Sequence, residues 1–271
     1  MKTSMTKVSA ALALMALSGV AMAGISTTRH NLGSTNGGGN HVVGAGATTE
    51  ICVFCHTPHG SDATNTVAPL WNRAMSTSSA FTTYATLGTG TLDGKEAGIG
   101  SISIACLSCH DGTQAIDVVL NAPGFGGKSS SNGINGTGGW TDANQMNLFP
   151  LSAEIVYLST DLRNDHPISI QYGGGNITTA ALAVATKDTD FVTPQNMLTT
   201  GGSRIWWIET SGSPATKEKT DLPLYSRTLD AISQPFVECG SCHDPHINNT
   251  TFLRPAVGNA GSAVCLACHV K

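Results

Sequence analysis

Charge is scarce in this 271-residue chain: Asp, Glu, Lys and Arg together make up 12% of it, with 14 basic against 18 acidic side chains. Such a balance lacks the basic stripe that a phosphate backbone demands, so nucleic acid is not an expected partner. Long apolar runs are missing beyond Val8 to Val20, which leaves no candidate for a bilayer span in the rest of the chain. Cysteine is absent near the N-terminus, so no thiol is placed to carry a lipid anchor. Polarity comes instead from Ser, Thr, Asn and 31 glycines. A neutral, loop-forming surface of that kind suits packing against other protein and suits simple solvation almost equally.

The one apolar run reads as part of an export signal. Lys2 and Lys7 form a basic region, Val8 to Val20 the apolar stretch, and Ala21-Met22-Ala23 a small-residue cleavage site before Gly24. Residues 1–23 are therefore expected to be removed, leaving 248 residues with 12 basic and 18 acidic side chains. The expected location is outside the cytoplasm: extracellular or at the cell surface, with the periplasm as the alternative.

No cysteine is left over from a single pattern. All eight fall into four Cys-x-x-Cys-His pentads: Cys52/Cys55/His56, Cys106/Cys109/His110, Cys239/Cys242/His243 and Cys265/Cys268/His269. Two thiols three positions apart can add to the two vinyl groups on one edge of a haem, and the next residue then lies under the iron as its imidazole ligand. Four disulfides or paired zinc sites would use the cysteines, but neither accounts for a histidine after every pair. The reading is four covalently attached c-type haems, with iron held by His56, His110, His243 and His269. About 62 residues per haem then leaves little need for an apolar core of side chains alone. The expected fold is a multihaem cytochrome c, mostly coil, with short helices around the motifs and a few short strands in a central insert.

The motifs repeat in order. CVFCHTPHG and CGSCHDPHI share CxxCHxPH, while CLSCHDG and CLACHVK share CLxCH, as in a duplicated dihaem unit. This divides the chain into the signal (1–23), a first dihaem unit (24–111), a haem-free insert (112–238) and a second dihaem unit (239–271). The first unit has 54 residues between Cys52 and Cys106 where the second has 26 between Cys239 and Cys265, and the extra length is expected as a loop around Leu87 to Ser101. In the insert, NAPGFGGKSSSNGINGTGG reads as a flexible loop. AEIVYL, HPISIQY and SRIWWIE read as short strands in weak, local ribbons. Trp71, Trp140, Trp206 and Trp207 are expected to pack against haem faces or the insert.

Function turns on the sixth coordination site, because an iron closed by a second strong ligand can only pass electrons. Outside the pentads the chain has His30, His41, His59, His166 and His246 for four distal positions, and Met75, Met146 and Met197 have no ligand context. His59 and His246 lie three residues after a proximal histidine, too near to wrap round their own macrocycle. The simplest scheme closes haem two with His59 and haem four with His246. His166 in NDHPIS is expected to serve haem one or three. His30 in TTRHNLG is favoured over His41 for the last place, since His41 sits among glycines.

CVFCHTPH with APLWNR, CLSCHDG, NDHPIS, VECGSCHDPH with FLRP, and the terminal AVCLACH resemble the doubled-CxxCH family of multihaem c-type cytochromes. Within it the chain looks like the secreted tetrahaem cytochromes that polymerise into extracellular conductive filaments, the OmcE type. The resemblance implies bis-histidine ligation, electron hopping between stacked haems, and a histidine of one subunit closing a haem in its neighbour. His30 would be the seventh residue after cleavage and the fourth haem lies two residues from the C-terminus, so His30 before His41 is the expected trans ligand, and other copies of the chain the expected partner, head to tail. The expectation is an electron carrier rather than an enzyme. Its alternatives are a monomeric periplasmic shuttle, an electron-donating subunit, and a multihaem reductase of a small nitrogen substrate, which would need an open iron beside a basic pocket.

Overall fold

The computed structural model describes residues 24–35, 41–43, 47–63, 68–88, 90–114, 116, 119–122, 139–140, 157–175, 177, 186–213, 216–249, 251–255 and 257–270. The export signal, nearly all of the Gly/Ser-rich run and the start of AEIVYL lie outside them.

Three helices carry three of the four motifs. Motif two occupies the last turns of α1 (Ser101–His110), whose Ile104 and Leu107 bury against Ile99 and Leu162. Motif three forms the single turn α2 (Cys239–Cys242), started by Glu238 in a reciprocal capping box with Ser241. Motif four forms α3 (Ala263–Cys268). Motif one folds without a helix, as turns in which the N–H groups of Cys55 and His56 both bond to the Cys52 carbonyl.

The duplication is repeated in backbone detail. After motif one, Thr57 N–H donates to the Leu70 carbonyl at 2.8 Å, His56 bridges Trp71, and Asn72 N–H donates to the Cys55 carbonyl at 2.9 Å. After motif three, Asp244 N–H donates to the Phe252 carbonyl at 2.8 Å, His243 bridges Leu253, and Arg254 N–H donates to the Cys242 carbonyl at 2.9 Å. Leu70 and Phe252 even share a left-handed backbone, each with φ of 56°, a conformation costly for a side chain with a Cβ. The turns of motifs one and three are thus each clamped by a returning segment of matching geometry.

The insert departs from expectation. Instead of weak local ribbons it forms one antiparallel sheet of five strands, in the order β3 (Ile170–Gln171), β7 (Ile232–Val237), β6 (Leu222–Leu229), β5 (Arg204–Ile208), β4 (Gln195–Leu198). HPISIQY and SRIWWIE contribute β3 and β5, whereas Tyr157 and Leu158 of AEIVYL belong to no strand. A separate two-residue pair joins β1 (Val42–Val43) to β2 (Gly139–Trp140). The sheet exists because one face is apolar: Trp206, Ile208, Leu222 and Leu224 bury with Tyr172 and Ile177, and Val264, Ala267 and Cys268 of α3 pack on the same cluster. Burial of this kind contributes about 1.5–3 kcal/mol for each large side chain, which anchors motif four to the insert. Trp71 is buried in the first unit, its indole N–H 3.3 Å from Ser108 Oγ of α1.

Candidate haem-attachment site

The motif cysteines form one continuous series. Cys55 is within electrostatic reach of Cys109, Cys106 of Cys239 and Cys242 of Cys265, and the Cys239 N–H donates to Ser103 of the motif-two helix at 2.9 Å. Motifs one to four therefore follow one another in space in their sequence order. All eight thiols are free, with no disulfide. Burial pushes the Cys55 and Cys268 thiols up to about 12 and Cys242 to about 11, so these sites resist holding thiolate charge and suit neutral sulfur, as in a thioether. Among the described residues the metal-type ligand atoms that converge in threes belong to Glu209, Glu218 and Asp221, away from the motifs. Thiols spread in pairs, with an imidazole beside each pair, fit the edge and axis of a flat macrocycle better than a tetrahedral ion.

Backbone carbonyls fix the proximal rings. His56 Nδ1 is 2.8 Å from the Pro69 carbonyl and His243 Nδ1 is 2.9 Å from that of Thr251, the twin position in the repeat. A ring N–H donated there leaves the Nε2 lone pair for iron. His246 is set the same way by Asp244 Oδ1 at 3.1 Å, and hydrogen bonds from His246 hold the Asp244 carboxyl down near 2. At motif four, His269 packs against Phe191, ring centroids 4.5 Å apart.

Two histidine pairs stand at a telling distance. His56 and His246 have ring centroids 6.3 Å apart with planes 15° from parallel, and His30 and His110 have centroids 6.2 Å apart with planes 78° from parallel. An imidazole nitrogen binds a metal at about 2.0–2.1 Å with the ring centre roughly 1.1 Å behind it, so two rings axial to one ion stand about 6.3 Å apart. Both pairs match that spacing.

Each spare histidine has its own surroundings in the chain. His246 faces His56 of motif one, not the histidine of motif four, because the clamp after motif three lies against the first unit. Within the chain the His30 ring stacks on Phe252 at 4.2 Å, and burial and the neighbouring His110 lower its pKa to about 4. The N-terminal tether is closed down by the Gly24 N–H bond to the His246 carbonyl at 3.1 Å. His59, expected to serve motif two, is exposed on a turn whose carbonyl accepts from Thr57 and Asn121. His166 is exposed with its Nδ1 3.0 Å from the Pro167 carbonyl, and His41 is half-buried ahead of β1. Among the described residues neither the His59 nor the His166 ring packs on a proximal histidine.

Residues 234–271 match the family model of the doubled CXXCH motif. The matched segment contains motifs three and four, β7 from Gln234 onward, α2 and α3. A search of curated proteins returns no match. With the motif geometry, the match supports a multihaem c-type cytochrome that carries covalently bound haem and takes part in electron transfer. Among the described residues no helix is long and apolar enough to cross a membrane.

Sequence reasoning missed Glu238. It is the residue before Cys239 and almost wholly buried, and it accepts hydrogen bonds from Ser103, Ser169 and Arg227. A lone acidic residue before a CxxCH carries no pattern of its own, since its partners come from distant segments.

Proposed function

We propose that this protein is an exported electron carrier with four bis-histidine c-type haems, and that its copies join head to tail into an extracellular filament. The haems supply reversible one-electron chemistry at iron; the chain spaces, orients and closes them. The observation that carries the reading is the pair of facing histidines, His56/His246 and His30/His110, each at the spacing of two imidazoles on one iron. A haem held between either pair would have no free place for a substrate, which favours a carrier over a reductase.

The repeat supports the filament. Within the chain the second unit supplies His246 to motif one, and its Phe252 backs the His30 ring that faces motif two. Motifs three and four stand in the same relation to whatever follows them. Continuing the operation places the first unit of the next copy there, with His59, the twin of His246, closing the haem on His243. His166 or His41 closes the haem on His269. A contact that repeats without closing builds a fibre.

His246→Ala should keep four attached haems while turning one low-spin ferric haem high-spin in the absorption and paramagnetic resonance spectra. A fully low-spin spectrum from that variant would refute the ligand assignment. Electron microscopy of the secreted wild-type protein separates fibre from shuttle.

A further inference from the structure

We infer that Glu238 is a positioning residue that sets the redox potentials at the junction of the two dihaem units, acting as a fixed negative charge between motifs two and three. The inference rests on the haem reading above and adds to it a site of electrostatic control.

Glu238 stands where the units meet. It starts α2, the turn of motif three, and its Oε2 accepts the hydroxyl of Ser103 in α1, the helix of motif two, at 2.5 Å. Ser103 in turn accepts the backbone N–H of Cys239 at 2.9 Å, which commits its own proton to the carboxylate. Ser169 Oγ donates to the same Oε2 at 3.0 Å and Arg227 Nη1 to Oε1 at 3.1 Å. Directly beyond lie Cys239, whose N–H is the one Ser103 accepts, and Cys106, three residues on from Ser103 in the same helix. Three separate segments, at Ser103, Ser169 and Arg227, thus converge on one carboxylate beside the start of motif three.

The partner set decides its charge. Two hydroxyls and a guanidinium surround the carboxylate, and the guanidinium, which can only donate and is always charged, favours its ionised form. Burial raises the carboxyl's pKa, and Ser103, Arg227 and Ser169 oppose it. The Glu238 side chain is fully buried while that of Arg227 is 20% exposed, so solvent screens the cation more than the anion and a net negative field remains. A buried anion near a haem favours the ferric, more positive state and lowers the potential. A simple helix cap would not need this: Asp, Ser or Thr caps a turn without a buried ion pair.

Spectroelectrochemical titration of the intact, fully loaded protein tests the inference, with haem stoichiometry measured by mass on every sample. Glu238→Gln keeps the shape and removes the charge, and the two haems at motifs two and three should titrate at higher potential while the outer two stay put. Arg227→Gln should move the same two lower. Opposite shifts confined to two haems support a field; unchanged potentials, or shifts of the same sign in both variants, overturn it. If Glu238→Gln fails to load haem, Arg227→Gln decides alone by its downward shift or the lack of one. Fewer than four haems in the wild type would instead sink the tetrahaem reading, so the two failures are distinct.

Discussion

His30 and His246 show how much of the proposed ligand set is decided by tertiary contact at the level of single residues. The pentads are covalent, local patterns, and their spacing alone identifies the eight cysteines and four proximal histidines. The proposed distal partners depend on contacts across the fold: His30 meets Phe252 and His110, and His246 meets His56. Loop length excluded His246 from its own haem, yet nothing local in TTRHNLG or CHDPH says which face receives the ring. The two pairs also differ in a measurable way. Near-parallel imidazoles donate into the same iron d orbital and split the d pair, whereas perpendicular ones leave it nearly degenerate, so axial orientation is read directly in the ferric spectrum. The oxidised protein should therefore show a rhombic low-spin resonance from His56/His246 and a strongly anisotropic one from His30/His110. His30→Ala should remove the anisotropic signal and spare the rhombic one; the reverse loss would reassign the pairs.

At the level of elements, the sheet was legible only in part. SRIWWIE is β-branched and aromatic without a breaker, and it forms β5. The interior strands β6 (LPLYSRTL), beside it, and β7 (ISQPFV), beyond β6, each hold a proline, at 223 and 235, and proline argues against a strand with neighbours on both sides. Tertiary burial of Leu222, Leu224 and Phe236 overrides that local cost. The turn between them hid as well. Asp230 and Ala231 have φ of 51° and 64°, as a two-residue hairpin of the primed type requires, but the usual signal is Asp-Gly. Alanine in the left-handed region is strained by about 1–2 kcal/mol, so Ala231→Gly should raise unfolding stability by roughly 1 kcal/mol after glycine's entropy loss. Denaturant melts of the loaded protein check the sign, and a destabilised variant would mean the turn is not in this conformation.

At the scale of the whole molecule, the repeat makes the two ends unequal. If each copy donates His59 forward and offers motifs three and four behind, a variant lacking His59 keeps its receiving face and loses only its donating one. Such a chain adds to one end of a growing fibre and blocks the next addition there, while the other end remains competent. Wild-type protein mixed with rising fractions of His59→Ala should then form progressively shorter fibres in electron micrographs, with unchanged width and haem content per chain, whereas pure His59→Ala forms none. His30→Ala, which touches a ligand inside its own chain, should instead still polymerise. Fibres of full length in the His59→Ala mixtures, or their loss with His30→Ala alone, would show that the internal relation between the units does not continue from copy to copy.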